Sequence, residues 1–189
     1  MKKLFILLTL VLLSQGCVFV AGAAAGAAGI AIVYDHRKLE KILLDQRLAH
    51  QINDEIAAIP ELRDHTRVDV TCFNQVVLLT GQASTAEQRQ RIGDIAHSLS
   101  DVTRVYNQIN VNAPASSLTQ ASDAWITTKI KTQMLATKGL ESSSIKVVTE
   151  NGSVYLLGIV SHDQADTTID IARKVAGVQR VVTIFQYTN

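Results

Sequence analysis

The chain has 189 residues, of which 47% are hydrophobic and 19% are charged. Its 18 basic residues nearly balance its 17 acidic residues and form no basic run, so we expect no nucleic-acid partner. The length is sufficient for one medium domain or for two small ones.

The N-terminus has the pattern of a signal peptide over residues 1–16. Two lysines precede an apolar run at 4–13, which is too short for a permanent membrane span. The run ends in the sequence LSQGC, which resembles the lipobox of bacterial lipoproteins, although Ser14 stands where leucine is commoner. The resemblance implies that Cys17 becomes the acylated, palmitate-bearing first residue. The alternative is an ordinary signal peptide that is cleaved nearby.

Residues 17–44 are predicted to form a tether between the lipid and the folded part of the chain. Their apolar portion at 18–33 is rich in glycine and alanine. A second membrane segment is the alternative for this portion, but its glycines and its short length favour a tether. Lipoproteins with Asp after the acylated cysteine tend to stay in the inner membrane. Val18 therefore implies a chain anchored in the outer membrane and facing the periplasm.

An internal repeat indicates that the remaining chain is a duplicated domain. The sequence VDVTCFNQVVLLTGQA from Val68 aligns with IKVVTENGSVYLLGIV from Ile145, at a constant offset of 77 residues. Farther along, GDIAHSLSDVTRVYNQI from Gly93 aligns with IDIARKVAGVQRVVTIF from Ile169, at an offset of 76 residues. A deletion of one residue between the two blocks reconciles the offsets.

Each copy has the same predicted order of elements, α-β-β-α-β. The predicted boundaries place copy one at 45–112, a linker at 113–121 and copy two at 122–189. The elements of copy one are a helix at 45–59, a hairpin turning at Asn74-Gln75, a helix at 85–99 and a strand at 102–111. Those of copy two are a helix at 122–137, a hairpin turning at Asn151-Gly152, a helix at 162–175 and a strand at 178–187. The predicted class is α+β, with a small three-stranded mixed sheet against two helices in each copy.

This pattern resembles the BON-domain family. The resemblance rests on the duplication, on hairpins that end in Gly81 and Gly158, and above all on the segments at 124–135 and 147–160. The resemblance covers nearly the whole chain after the tether. Asp101 departs from the family pattern, because the family's second copy prefers glycine at the equivalent position. We interpret the two glycines as relieving a backbone constraint rather than as binding residues.

No pattern of residues indicates catalysis, a metal site or a cofactor. The five histidines lack metal-ligand spacing, and there is no nucleophile elbow or phosphate-binding loop. Ser161-His162-Asp163 has the residue types of a hydrolase triad, but adjacent residues cannot face one another as a triad requires. Its position instead suits a helix N-cap. Cys72 falls on the buried face of a predicted strand, where a free cysteine behaves as a small apolar residue.

The first helix of copy two has two distinct faces when its residues are placed about 100° apart. Ile126, Ile130 and Met134 form an apolar stripe that is expected to face the sheet. The opposite face combines apolar, hydroxyl and basic side chains. Its members are Trp125, Thr128, Lys129, Lys131, Thr132 and Leu135.

The family resemblance implies that this second face binds anionic phospholipid such as phosphatidylglycerol. It also implies that the protein supports envelope integrity, with enrichment at division sites. The chemistry of the face agrees, because tryptophan suits the membrane interface and lysines attract anionic lipid. Two alternatives remain: the face binds an outer-membrane assembly or division protein, or Trp125 is buried against copy one or the tether. Only the last of these requires a buried Trp125.

Overall fold

The computed structural model of the protein describes residues 39–112 and 116–188. The predicted signal peptide at 1–16, the acylation site Cys17, most of the tether and residues 113–115 of the predicted linker lie outside the described residues. Within the two described ranges, no helix has the length and hydropathy needed to cross a membrane.

The described residues confirm the α+β class and the repeated α-β-β-α-β order. Copy one consists of α1 (Leu39–Ala58), α2 (Pro60–His65), β1 (Thr66–Phe73), β2 (Val76–Ala83), α3 (Ala86–Ser98), β3 (Arg104–Asn107) and β4 (Asn110–Val111). Copy two consists of α4 (Ser117–Ala136), a 3-10 turn (Ser142–Ser144), β5 (Ile145–Glu150), β6 (Ser153–Val160), α5 (His162–Arg173) and β7 (Arg180–Tyr187). The helix α2 and the 3-10 turn are additions to the predicted order.

The first helix of each copy begins earlier than the sequence pattern predicts. Helix α1 already includes Leu39, within the predicted tether, because the buried Ile42 extends its apolar stripe by one turn. Helix α4 begins at Ser117, within the predicted linker. The hydroxyl of Ser116 accepts a hydrogen bond of 3.2 Å from the amide of Thr119 and so caps the helix there.

Each sheet is built on a hairpin whose second strand lies in the middle. Strands β1 and β2 are antiparallel, as are β5 and β6, while β3 and β7 run parallel to their central partners. The turn residues Asn74, Gln75, Asn151 and Gly152 all have positive φ angles, between 48° and 70°. This is the geometry of a type I′ turn, so both predicted two-residue hairpins are confirmed.

Copy one departs from the predicted single last strand. The strand expected at 102–111 is divided into β3 and β4, which pair with β2 in the same register on either side of a break. Gly81 lies in β2 at the break, with a φ of +108°. In copy two, Gly158 has no such positive φ, and β7 runs unbroken along β6. The left-handed residue therefore accounts for the interruption.

Among the glycines that the structure describes, Gly81 leaves the least room for a side chain. A Cβ atom built there would lie 2.1 Å from the carbonyl oxygen of Arg67. Gly81→Ala should therefore lower the free energy of unfolding by at least about 3 kcal/mol, from overlap added to an unfavourable φ. Gly139→Ala is the matched control, because Gly139 has a φ of +81° but open space around it, and about 1–2 kcal/mol is expected. Urea unfolding of both variants measures the difference, and equal losses would show that overlap at Gly81 is unimportant.

The two copies pack together through the sheet faces that carry no helices. The described residues of both copies belong to one compact unit, and a buried apolar cluster joins both sheets. Its buried members are Phe73, Val76, Leu78, Tyr155, Leu157 and Ile184. Hydrogen bonds border this cluster, from Asn74 to Gln186 at 2.6 Å and from Gln82 to Glu150. Each sheet is thus covered by its own helices on one face and by the other copy on the opposite face.

Candidate functional site

Helix α4 presents the two faces that the helical wheel predicts. Ile126, Ile130 and Met134 are buried at 1% exposure or less, in the core of copy two. On the opposite side, Trp125 is 53% exposed and Leu135 is 75% exposed. This contradicts the interpretation in which Trp125 is buried against copy one. A large apolar surface on a helix that already has a buried face needs another explanation.

The exposed surface is longer than the sequence analysis predicts. Leu118 is 80% exposed and lies seven residues before Trp125, on the same side of α4. From Leu118 to Leu135 the surface extends for about 25 Å. The sequence pattern assigns Leu118 to a linker, and only the earlier helix start aligns it with Trp125. We call the set Leu118, Trp125, Thr128, Lys129, Lys131, Thr132 and Leu135 the docking face.

The hydroxyl groups of the two threonines of the docking face donate hydrogen bonds within α4. The Thr128 hydroxyl donates to the carbonyl oxygen of Ala124, and the Thr132 hydroxyl donates to that of Thr128, both at 2.8 Å. Such bonds to the preceding turn satisfy the hydroxyls within the helix. The methyl groups are then the parts available for an apolar contact, so the face is more apolar than its composition suggests.

The charge on the docking face is entirely positive. Lys129 and Lys131 are exposed at its edges, whereas Asp123, the one acidic residue of α4, is buried at 7% exposure. The face therefore combines a tryptophan, two exposed leucines and two lysines. This combination suits a surface that is both apolar and anionic.

Asp123 has a structural role that the sequence analysis missed. Its carboxylate accepts hydrogen bonds from the backbone amides of Asn151, at 2.7 Å, and Gly152, at 2.9 Å. Asp45 does the same in copy one, accepting from the amides of Asn74 and Gln75 at 2.7 and 2.8 Å. Each carboxylate thus fixes the first helix of its copy to a hairpin turn.

The equivalence of these aspartates allows the docking face to be compared with the corresponding positions of copy one. When α1 and α4 are aligned on Asp45 and Asp123, their buried stripes coincide. The positions of α1 equivalent to the docking face from Trp125 onward carry mainly polar and charged residues, whereas Leu39 and Leu43 are exposed near the start of α1. In α1 the equivalent positions are occupied by Arg47, His50, Gln51, Asn53, Asp54 and Ala57. They correspond, in that order, to Trp125, Thr128, Lys129, Lys131, Thr132 and Leu135.

A polar groove of about 410 Å³ lies beside the docking face, where copy one meets α4 and β5. We call it the junction groove. The residues that line it are Arg67, Asp69, Gly81, Gln82, Gln120, Asp123, Ala124, Thr127, Thr128, Thr149 and Glu150.

Hydrogen bonds hold the walls of the junction groove in place. Arg67 donates to the side chain of Gln120 at 2.9 Å, and Thr127 donates to Thr149 at 2.7 Å. Burial raises the pKa of Glu150, and the nearby carboxylates of Asp123 and Asp69 raise it further. The hydrogen bond from Gln82 and the charge of Arg67 act in the opposite direction.

Cys72, Ser161 and His162, the other residues with reactive side chains that the sequence analysis considered, have structural roles. Burial, together with the adjacent carboxylate of Asp45, raises the pKa of Cys72 to about 12, which keeps the thiol protonated and unreactive. The Ser161 hydroxyl caps α5 by accepting from the amide of Gln164, as predicted. His162 stacks on Tyr187 with the ring centres 4.2 Å apart.

Comparison with known proteins agrees with this architecture. The BON domain model matches residues 44–113 and again residues 122–189. The chain is 32% identical to Outer membrane lipoprotein DolP of Haemophilus influenzae over 100% of its own length and 97% of that protein. It is 34% identical to the 21 kDa hemolysin of Actinobacillus pleuropneumoniae, over 78% of this chain and 74% of that protein.

One solved structure resembles the chain only distantly. CdsD, a structural protein of the type III secretion system of Chlamydia trachomatis, matches with 14% identity and a TM-score of 0.33. The match covers 75% of this chain and 92% of that one. The two domain matches and the full-length similarity are sufficient without it: the chain belongs to the BON-domain family and contains two copies of the domain.

Proposed function

We propose that the protein is a lipid-anchored lipoprotein of the outer membrane, facing the periplasm, and that copy two binds anionic phospholipid through the docking face. The observation that carries the proposal is the exposure of Trp125 between leucines and lysines on a helix whose opposite side is buried. The full-length similarity to an outer membrane lipoprotein supports the location.

The physical chemistry of the docking face favours a membrane. An indole ring suits the lipid interface, because its apolar body meets acyl chains while its N–H group meets headgroup oxygens. Each lysine near an anionic surface contributes about 1 kcal/mol. An amphipathic helix alone binds reversibly, and the predicted acyl chains at Cys17 would keep it close to the bilayer. Docking then orients the folded domains on a membrane to which they are already tethered.

We further propose that the protein supports envelope integrity, with enrichment at division sites. This role is implied by the resemblance to dual-BON lipoproteins, whereas lipid binding is supported both by that resemblance and by the docking face. In either role the protein acts by binding, and we propose no enzymatic activity.

Trp125 provides the direct test, because it is the only tryptophan in the sequence. Its fluorescence in the chain without residues 1–17 should begin red-shifted and move to shorter wavelength with phosphatidylglycerol vesicles, but not with purely zwitterionic ones. A spectrum that is blue from the start and ignores both vesicles would contradict the proposal. A red-shifted spectrum that ignores both would instead favour a protein partner on the same face, from the outer-membrane assembly or division machinery.

The two lysines should account for the salt dependence of binding. Lys129→Gln combined with Lys131→Gln removes two charges of about 1 kcal/mol each, so vesicle affinity should fall about thirtyfold at low salt. The loss should shrink at high ionic strength, where charges are screened. Titration of Trp125 fluorescence at two salt concentrations measures both effects. Lys174→Gln, an exposed lysine just after α5, is a control that should leave binding nearly unchanged. A loss independent of salt would show that the lysines do not act through charge.

A further inference from the structure

Strand β7 forms an open edge of the sheet in copy two. It pairs with β6 on one side, and no strand of the described residues pairs with it on the other. The amide of Thr188, directly after β7, donates to the carbonyl oxygen of Val160 at 3.0 Å. Successive residues of a strand point their N–H and C=O groups to opposite sides, so those of the odd-numbered residues from Val181 to Tyr187 point away from β6. These groups line the open edge.

The other sheet edges have features that discourage pairing with a further chain. Strand β1 contains Arg67 and Asp69, and strand β5 contains Lys146 and Glu150. Charged side chains on an edge strand oppose the addition of another strand, and the remaining edge is divided into β3 and β4. By contrast, residues 181–187 of β7 include no charged residue and no proline, and β7 is unbroken over about 25 Å. Among the described edges, that of β7 is therefore the most open to a further strand.

An arginine lies near each end of this edge. Arg180 begins β7 and donates to the hydroxyl group of Tyr155 at 3.4 Å. Arg104 of β3 donates to the hydroxyl group of Tyr106 at 3.2 Å and lines a groove together with Gln186, near the other end of β7. Both arginines are exposed, and neither has a carboxylate partner within the part of the chain that the structure describes. Both ends of the edge therefore attract negative charge.

The groove beside the end of β7 has room for a side chain. We call it the edge groove. Its volume is about 210 Å³, and Val76, Tyr106 and Ile184 supply the apolar parts of its wall. Side chains of a strand alternate between the two faces of a sheet. A strand added to β7 would direct every second side chain toward copy one, and one of these would lie over the edge groove.

We propose that the open edge of β7 binds an extended acidic segment of a partner protein, which joins the sheet of copy two as a further strand. Backbone hydrogen bonds to β7 supply the affinity. Carboxylates beside Arg104 and Arg180, together with an apolar side chain in the edge groove, supply the specificity. The docking face lies on α4, which packs on β5 at the opposite edge of the sheet, so the inference does not depend on membrane binding.

The same arginines disfavour a second copy of this chain as the occupant. In an antiparallel pair of β7 strands, the start of one strand lies opposite the end of the other. Arg180 of each copy would then lie near Arg104 of its partner, and like charges opposite one another destabilise a strand pair. An acidic segment has the opposite effect at both ends.

The test uses a synthetic peptide of about seven residues, which is long enough to cover β7. It has capped ends, alternates valine with threonine and carries glutamate at both ends. The protein is the chain from residue 17, with Cys17→Ser to prevent acylation. In an NMR titration, the amide signals of Thr183 and Phe185 should shift, and their hydrogen exchange should slow. The amide of Ile184 already points to β6, so its exchange should stay the same.

Two altered peptides separate the backbone contribution from the charge contribution. Methylation of alternate peptide nitrogens on the bonding side removes N–H donors, and affinity should fall at least about tenfold. Lysine in place of both glutamates should weaken binding about tenfold, because attraction to the two arginines becomes repulsion. Arg104→Gln combined with Arg180→Gln should bring the glutamate and lysine peptides to nearly equal affinity. Arg47→Gln combined with Arg91→Gln, a matched change at exposed positions of α1 and α3, should keep the preference.

Thr183→Pro tests the edge itself. Its backbone nitrogen points away from β6, so proline removes an outward donor and leaves the bonds to β6 in place. Peptide binding should be lost, and thermal unfolding confirms that the variant is folded. If it is not folded, the arginine variant and the methylated peptide still decide.

Each part of the inference can be overturned separately. Equal affinity of the unsubstituted chain for the glutamate and lysine peptides would overturn the acidic partner. Undiminished binding of the methylated peptide, or binding that persists in a folded Thr183→Pro variant, would overturn strand addition at β7. An absence of shifts in β7 at millimolar peptide would do the same. Self-association in analytical ultracentrifugation that Thr183→Pro abolishes would make the occupant a second copy of the chain and overturn the proposal of a partner protein.

Discussion

Trp125→Glu should weaken binding to phosphatidylglycerol vesicles about a hundredfold. Moving the exposed half of an indole ring out of water contributes about 2 kcal/mol, because a buried tryptophan covers about 150–250 Å² at about 25 cal/mol per Å². Placing a negative charge at the same point adds about 1 kcal/mol of repulsion from an anionic surface. Together these amount to about two factors of ten in affinity. Co-sedimentation with vesicles measures the effect, since the variant has no tryptophan to observe.

The same substitution should leave the fold almost unchanged. Trp125 is 53% exposed and is not part of the apolar cores of the protein, so its loss should alter the free energy of unfolding by about 0.5 kcal/mol or less. Gln46→Glu is the matched control, because Gln46 is exposed on α1 of copy one and the charge changes by the same amount. This control should bind vesicles like the parent chain. A large loss of stability in Trp125→Glu would mean that the ring supports the fold rather than a lipid contact.

The elements of the fold that were predicted correctly share a local origin. A hairpin turn depends on two adjacent residues, and a helix stripe such as Ile126, Ile130 and Met134 depends on spacing within a few turns. The repeat strengthened these predictions, because each element was observed twice in the sequence. Copy one shows the limit of this method. Gly81 adopts a left-handed φ that Gly158 does not share, and the last strand of copy one is divided as a result.

Six of the seven residues of the docking face were predicted from the sequence, and the seventh, Leu118, depends on where a helix begins. The polar segment before residue 122 has the composition of a linker, and a single serine cap at Ser116 extends α4 through it. Leu118 then joins Trp125 on one side of the helix. The exposure of Trp125 also lay beyond the helical wheel, because burial depends on how the two copies pack. That packing involves opposite sheet faces and residues about a hundred positions apart, such as Asn74 and Gln186.

The junction groove has no signal in the sequence at all. Its acceptors Asp69 and Glu150 belong to different copies and approach one another only because the sheets pack face to face. Asp123 is similar, since an aspartate next to an apolar stripe gives no indication that its partners are backbone amides 28 residues later. Backbone donors carry no side-chain signature. Contacts of this kind become visible only in three dimensions.

Asp123→Ala should be among the most destabilising single substitutions in copy two. The carboxylate accepts from two backbone amides of the hairpin turn, and the amide of Gly152 is buried. A hydrogen bond to a charged group is worth about 1.5–3 kcal/mol, and removing the acceptor leaves both amides unsatisfied. We expect the free energy of unfolding to fall by about 3–5 kcal/mol, measured by urea unfolding of the chain without residues 1–17. Asp123→Asn keeps one acceptor oxygen and should lose about half as much.

Asp45→Ala tests whether the same contact is equally important in copy one. The turn of copy one contains Gln75 at a φ of +64°, a backbone conformation that is unfavourable for a residue with a side chain. The equivalent residue of copy two is Gly152, which has no side chain and adopts such a φ without strain. The carboxylate of Asp45 holds this turn in an unfavourable conformation. Asp45→Ala should therefore lower the free energy of unfolding by at least as much as Asp123→Ala does. Asp170→Ala, an exposed aspartate on α5, should change stability by about 0.5 kcal/mol or less. If Asp45→Ala and Asp123→Ala also stay within that range, helix-to-turn hydrogen bonds do not stabilise either copy. The position of α4, and with it the docking face, would then depend on the apolar core alone.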